Sequence, residues 1–374
     1  MRVASLEDLR AARKVFDGRR LTLARTFRGL RKNELAQLLG VTPAAVGQFE
    51  NGHTRPSPET LAQLTLAVGF PLGFFETGRP SFPVSEERFQ FRSLKAATKL
   101  ARVRVLARVE LLAELVSMLE AYVELPPVDL PNVSTTDLES GDMNAITSRL
   151  RLEAALGLGP LDNAVGFLEL RGCIVTRLRA ETREVDAFSG WVGQRPFVVL
   201  SADKSDTARS RFDAAHELGH LLLHHDVDSD NEELEFQAHA FASAFLMPKE
   251  SLLRELPRRL DWGRLIELKL RWRVSLAALL RRARDLGALS EFTYRRAMVQ
   301  MSSWGWRVNE PGEVGAAEQP TLLHDSLLLL ERGLGISSDD VCEALRVSPR
   351  DLELLVGESP VRLRLEPSST ANAS

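Results

Sequence analysis

Apolar positions at three-to-four spacing, separated by sharp stops, predict a cluster of short helices over residues 18–76. Leu21, Ala24 and Phe27 mark one face of a helix over 19–28, and a second helix over 33–39 ends at Gly40. A third starts at Thr42 with Pro43 in its first turn and stops at Asn51-Gly52. Ser57-Pro58-Glu59 starts a fourth that runs to Gly69, and residues 71–75 close the unit as a fifth. After a proline-bounded loop, a long amphipathic helix is expected over 93–122. It ends in Pro126-Pro127-Val128-Asp129-Leu130-Pro131, a run that cannot continue a helix and reads as a linker. A helix over 136–156 precedes three β-type runs at 172–178, 185–191 and 196–201, whose spacing fits an antiparallel meander. Helices are expected again at 207–223, at 234–245 and in segments to 304. Residues 310–320, rich in Gly, Pro and Glu, read as a further linker. The predicted class is therefore mainly α with a small antiparallel sheet (α+β).

Composition narrows the setting. Of 374 residues, 44% are hydrophobic and 26% charged, ordinary for a globular chain, and the net charge of −3 excludes a general basic field. Charge is uneven, however: Arg2, Arg10, Arg13, Lys14, Arg19, Arg20, Arg25, Arg28, Arg31 and Lys32 crowd the amino-terminal part against Glu7, Asp8 and Asp17. No apolar run suits a signal peptide or the roughly 20 residues of a membrane helix. Cys173 and Cys342, the only 2 cysteines, offer neither a disulfide framework nor a cysteine metal site. The expected compartment is the cytoplasm, with no membrane partner.

The amino-terminal cluster has the pattern of a helix-turn-helix, in which one helix crosses the phosphate backbone and the next enters the major groove. Leu35, Leu38 and Leu39 supply the buried side of the first, and Val46 and Phe49 lock the second onto it. Thr42, Ala44, Ala45 and Gln48 are left outward; Gln48 can pair with adenine, and an alanine can touch a thymine methyl. Arg19, Arg20, Arg28, Arg31 and Lys32 are placed to reach phosphates, and Arg55 reads as another backbone contact. The stretch from Asn33-Glu-Leu-Ala-Gln-Leu-Leu-Gly to Phe49-Glu-Asn-Gly52 closely resembles the lambda-repressor-like (Cro-type, XRE) family over residues 18–76. The resemblance implies binding to a double-stranded DNA operator as a homodimer. The tail echoes this stretch, since residues 340–352 align with 34–46. Asp351 and Glu353 are expected to face solvent there and repel phosphate, so the echo reads as a packing or dimerisation element.

His216 and His220 lie four residues apart on a predicted helix, about 6 Å along its axis and on one face. Two such imidazoles can bind zinc, and Glu217 beside them can take a proton from attacking water. A catalytic zinc needs a third protein ligand. Glu235 on the next helix is the first choice, with Glu232, Glu233 and His239 as rivals. His239, one turn beyond Glu235, suits the orienting of a ligand imidazole. His224 and His225 read as solvated or capping, yet with the arginines they also stand as candidates to stabilise an oxyanion, and neither Tyr122 nor Tyr294 can be placed. The strand 197–200 is expected to offer an edge for peptide pairing.

Arg211-Phe-Asp-Ala-Ala-His-Glu-Leu-Gly-His-Leu-Leu-Leu-His224, followed by Glu235-x-x-Ala-His-x-Phe-Ala-x-x-Phe-Leu-Met-Pro248, resembles the ImmA/IrrE metallopeptidase family over roughly residues 140–260. That resemblance implies a gluzincin-like fold, ligands at His216, His220 and Glu235, Glu217 as base, and a repressor-like protein as substrate. The family usually has Asn where His239 stands here. Four regions are expected: a helix-turn-helix domain at 1–78, a helical linker at 79–135, a zinc metallopeptidase domain at 136–310, and a helical carboxy-terminal region at 311–374. The expected function is a DNA-binding regulator whose Zn2+ site (Mn2+ also fits) hydrolyses a peptide bond in a regulatory protein or in itself. The alternative is a transcription factor whose peptidase-like domain senses a metal or ligand without proteolysis.

Overall fold

A computed structural model describes residues 5–84, 89, 98–134, 137, 140–178, 187–202, 206–224 and 232–357. Helix α1 (Leu6–Lys14) begins with a reciprocal Ser5/Asp8 cap. It lies before the predicted cluster, and only Leu9 and Ala12 of it are buried, too thin an apolar stripe to read among its charges. Next come α2 (Gly18–Phe27), α3 (Lys32–Leu39), α4 (Pro43–Glu50), α5 (Pro58–Val68) and a 3-10 turn (Leu72–Phe75). Thr42 and Ser57 cap α4 and α5, each with proline in the first turn, and Gly40 and Gly69 take the left-handed conformation that ends α3 and α5. Gly18 permits the closest approach in this unit: a Cβ there would meet the Phe49 carbonyl oxygen at 2.1 Å. The unit's ends are tied where Asp17 N donates to Phe75 O at 2.8 Å and Thr77 N to Val15 O at 2.8 Å.

Helix α6 (Lys99–Glu120) was expected as an amphipathic spacer, but from Val105 onward nearly all of it is buried. Two charges, Arg108 and Glu114, go in with it. Glu114 accepts from Arg20 of α2 and pairs with Arg79 at 3.6 Å, so α6 is tied to the helix cluster by ion pairs that hydrophobic spacing does not reveal.

Helices α7 (Met143–Glu153) and α8 (Ala164–Leu170) precede β1 (Ile174–Leu178), β2 (Ala187–Val192) and β3 (Arg195–Ser201). The sheet is mixed, in the order β1-β3-β2. β2 and β3 form an antiparallel hairpin around Gly193 (φ 60°), but β1 pairs with β3 in parallel, Ile174 opposite Phe197 and Leu178 opposite Ser201. The antiparallel meander is thus corrected. All of β1 is buried, as suits a strand covered on both faces, and strand spacing carries no information about direction.

Side chains alternate across this sheet. Ile174, Leu178, Phe188, Val192, Phe197 and Val199 join one core with α2–α6 and the tail helices. Val175, Ala187, Val198 and Leu200 join a second core with the helices that follow. These are α9 (Thr207–Leu223), α10 (Glu232–Leu246), α11 (Lys249–Glu255), α12 (Trp262–Trp272), α13 (Leu276–Asp285) and α14 (Glu291–Ser303). Arg151 of α7 is buried and donates to Phe245 O at 2.7 Å, fixing the end of α10.

Residues 310–320 form an ordered strap. Glu310 accepts from Leu276 N at 2.8 Å and Ala277 N at 3.3 Å, where α13 begins. Glu318 accepts from Ala164 N at 2.8 Å and Val165 N at 3.2 Å, where α8 begins, and pairs with Arg211. Carboxylates at helix amino termini meet unsatisfied N–H groups and a favourable dipole. The linker composition hides this because both partner helices are remote in sequence.

The strap leads to α15 (Leu322–Leu334), α16 (Ser338–Leu345) and α17 (Pro349–Val356). α16 and α17 repeat the α3–α4 plan, with Arg346 left-handed at the turn and Ser348 capping before Pro349. Leu352, Leu355 and Val356 enter the first core, and Thr176 of β1 donates to Leu355 O at 2.9 Å. Asp351, expected in solvent, is 1% exposed: it completes the Ser348 cap and receives both ends of the Arg28 guanidinium at 2.5 and 2.8 Å. Glu353 is exposed. Breaking a buried pair costs about 3–5 kcal/mol, less where one partner meets solvent, as Arg28 does. Asp351→Asn is therefore expected to destabilise the protein by about 2 kcal/mol, and a double-mutant cycle with Arg28→Leu to give a coupling above about 1 kcal/mol in urea unfolding. Additive effects would contradict the clamp.

Candidate metal centre and DNA-binding face

Helix α9 starts at Asp206, whose carboxylate accepts from Ala208 N at 3.0 Å and Arg209 N at 3.3 Å. Ala214, Ala215, Leu218 and Leu221 bury one side of it, while His216, Glu217 and His220 line a cavity. Helix α10 brings Glu235 to the same place. A Cβ on Gly219 would lie 3.0 Å from the Phe241 ring and 3.2 Å from Ala238 Cα, so the missing side chain sets the separation of α9 and α10.

His216 Nε2 and His220 Nε2 are 3.0 Å apart, and Glu235 oxygens lie 3.4 and 3.5 Å from them. Tetrahedral zinc with donors at about 2.0–2.1 Å spaces those donors about 3.3–3.4 Å apart. Donor types and separations both fit a divalent metal. Among the described residues the cluster within 4.8 Å holds His216, His220 and Glu235. Of the rivals for the third place, Glu232 lies in a side pocket of about 430 Å³, and Glu233 accepts from Gln237 at 3.4 Å. Burial works against the Glu235 carboxylate, but hydrogen bonds and charge from His216 and His220 outweigh it and hold its pKa below the usual range.

A relay behind His220 fixes its tautomer. Gln237 Nε2 faces Glu233, so its Oε1 accepts from His224 Nε2 at 3.1 Å. His224 Nδ1 must then accept from His220 Nδ1 at 3.0 Å, which leaves the His220 Nε2 lone pair for a metal. Burial drives the His224 pKa down to about 4 and keeps this relay neutral. In this arrangement His224, rather than the expected His239, is the side chain in hydrogen-bond contact with the far nitrogen of a candidate ligand, His220. His239 packs on the Phe212 ring with centroids 4.7 Å apart, lies 6.3 Å from the His216 ring, and is pushed down to about 4 by burial and Arg281. Both histidines sit one turn from a ligand in sequence, so only the crossing of α9 and α10 separates their roles. His225 lies outside the described residues.

Glu217 is 4% exposed, and Ser189 of β2 donates to its Oε2 at 2.7 Å. Burial raises the Glu217 pKa. The cavity of about 710 Å³ is also lined by Tyr294, Arg281 and Arg307, none of which carries a local sequence signal. Tyr122 is 58% exposed on the far end of α6. The edge expected at 197–200 is corrected as well: β3 is the central strand, paired on both sides, and the strand nearer the cavity is β2.

On α4, Thr42, Ala44 and Gln48 are exposed and Ala45 is half-buried. Thr42 Oγ1 accepts from Ala45 N at 3.2 Å, leaving its hydroxyl proton available. Arg31, Lys32 and Arg55 are exposed, with Lys32 paired to Glu50 at 2.9 Å. Arg28 is different. Its guanidinium is committed to Asp351 and Val68 O and lies over the Phe70 ring at 4.6 Å, so it is withdrawn from the phosphate contacts. Arg20 is 4% exposed and paired with Glu114, whereas Arg19 is open to solvent.

Removing an orienting partner of a metal-bound histidine typically lowers affinity 10- to 100-fold. His224→Ala is accordingly expected to weaken zinc binding by roughly 10- to 100-fold in calorimetric titration, and His239→Ala by less than about threefold. Equal losses would contradict the relay.

Among the described residues no helix is long and apolar enough to cross a membrane. No curated protein matches the chain. Residues 23–75 match the family model for a helix-turn-helix, a module that binds double-stranded DNA, and residues 168–284 match the model for the IrrE N-terminal-like domain of a peptidase family. The chain is thus a fusion of an XRE-like helix-turn-helix domain with an IrrE N-terminal-like, metallopeptidase-type domain.

Proposed function

We propose that this protein is a DNA-bound regulator whose metal centre hydrolyses a peptide bond in a regulatory protein. The observation that carries the reading is the convergence of three metal-type donors on a cavity that also holds a buried carboxylate, Glu217. A divalent metal, zinc by donor set and manganese as a second fit, would be held by His216, His220 and Glu235 and would supply Lewis acidity and an acidified water. Ser189 holds Glu217 Oε2, which leaves Oε1 to accept the proton from the attacking water and pass it to the departing nitrogen. Burial favours the protonated form that this transfer passes through. Tyr294 and Arg281, on the cavity wall, can donate to the carbonyl oxygen as charge develops on it.

Binding at an operator through α4, as a homodimer, would raise the local concentration of a repressor-like substrate, so the peptidase need not be efficient on its own. An ionisable base beside the donors favours hydrolysis over metal sensing, which has no need of one.

Two outcomes check these parts separately. In cells, new protein amino termini are expected to appear with the wild type and not with Glu217→Gln; no difference between strains with both proteins metal-loaded would favour the sensor. On DNA, Gln48→Ala is expected to weaken operator binding selectively, whereas Arg31→Ala weakens all sequences and lowers the salt slope by about 0.9 for the lost phosphate contact. Equal loss on every DNA from both variants would contradict α4 as the reading helix.

A further inference from the structure

Arg281 and Arg307 reach the metal cavity from two separate elements. Helix α13 brings Arg281 one turn beyond Ala277 and Ala278, and α14 lines the same cavity with Tyr294 and Met298. Arg307 follows α14 on a turn that is held from both sides. Before it, the rings of Trp262, Trp304 and Trp306 meet one another with centroids 4.5–5.4 Å apart. Trp262 Nε1 donates to Gln300 Oε1 at 3.1 Å, and Trp306 N donates to Met301 O at 2.9 Å. After it, Glu310 caps the start of α13 and pairs with Lys269 at 3.1 Å. Arg307 is exposed, so packing of its neighbours, and no partner for its charge, keeps it at the cavity.

The acidic side chains of the cavity are already engaged. Asp206 serves the start of α9, Glu310 the start of α13, Glu235 the two histidines and Glu217 Ser189. Asp213 lies near enough to Arg177 to favour its charged form. Among the described residues, neither Arg281 nor Arg307 has a hydrogen-bond or ion-pair partner. The charge of Arg281 is felt at His239, whose pKa burial first and Arg281 second push down to about 4. Two like charges facing one cavity repel each other, and an anion entering the cavity relieves that repulsion. A guanidinium matches a carboxylate through two parallel hydrogen bonds. A round cavity of about 710 Å³ is about 11 Å across, room for about three residues of extended peptide.

We propose that Arg307 selects the substrate by receiving the carboxylate of an Asp or Glu side chain within about three residues of the bond to be cut. This rests on the peptidase reading above. Arg307 acts on binding, while Tyr294 and Arg281 are left for the carbonyl oxygen.

The test gives the zinc-loaded full chain a library of random peptides with amidated carboxyl ends and reads the cut sites by mass spectrometry. Cuts that depend on Glu217 are expected to be enriched in Asp or Glu near the broken bond. Arg307→Ala should lose that enrichment, and Arg307→Glu should replace it with Lys or Arg. On one acidic peptide so found, Arg307→Ala is expected to raise KM about tenfold, the effect of one charged hydrogen bond, with kcat nearly unchanged. In chelator-treated Glu217→Gln protein, that peptide should bind about tenfold tighter than its glutamine analogue, and Arg307→Ala should abolish the difference. A cut found only in cells is scored by the same rule. Glu217-dependent cuts without acidic enrichment, or with enrichment that survives in Arg307→Ala, would overturn the assignment and leave the peptidase reading standing. A preference confined to peptides with a free carboxyl end would overturn the side-chain assignment in favour of the terminal carboxylate. No Glu217-dependent cut in peptides or in cells would overturn both readings.

Discussion

The three-stranded sheet must be covered on both faces, and the rest of the molecule is arranged to meet that demand. Alternate residues of β1, β2 and β3 enter two different cores, one shared with the DNA-binding helices and the tail, the other with the motif helix. Neither core closes without the sheet. A shift of one residue in any strand would send its apolar set to the wrong side and displace Ser189 from Glu217. The candidate metal site and the helix-turn-helix are consequently packed against opposite faces of the same strands.

Remote ion pairs and helix caps complete the arrangement. Glu114 joins α6 to α2, Asp351 joins α17 to the helix-turn-helix, and Glu310 and Glu318 join the strap to the starts of α13 and α8. Each carboxylate lies far in sequence from its partner and is largely removed from water, where an unpaired charge would be costly. The repeated helix pair α16–α17 shows what this does to function. It has the plan of a DNA reader, yet its second helix is spent on holding the first core to β1.

Local signals made much of this legible. Proline and Ser/Thr starts with glycine stops located α3, α4 and α5, and the apolar period located α9 from its first residue to its last. His216, His220 and Glu235 could be gathered because two share a helix face and the third opens the next helix. What could not be read depends on chain direction and on side chains meeting across elements. The parallel pairing of β1, the diversion of Arg28 to Asp351, the His224–Gln237 relay and the approach of Tyr294 to the cavity all belong to that kind. Gly219 is intermediate: that it leaves space for a neighbour is legible in the sequence, but that the neighbours are Phe241 and Ala238 appears only where α9 crosses α10.

The central claim is that the crossing of α9 and α10 builds a three-donor metal centre beside Glu217. Its most direct test is a crystal structure of the zinc-loaded protein with anomalous scattering recorded at the zinc edge. A single strong peak is expected at about 2.0–2.1 Å from His216 Nε2, from His220 Nε2 and from a Glu235 oxygen. A peak ligated by other residues, or none at saturating zinc, would contradict it.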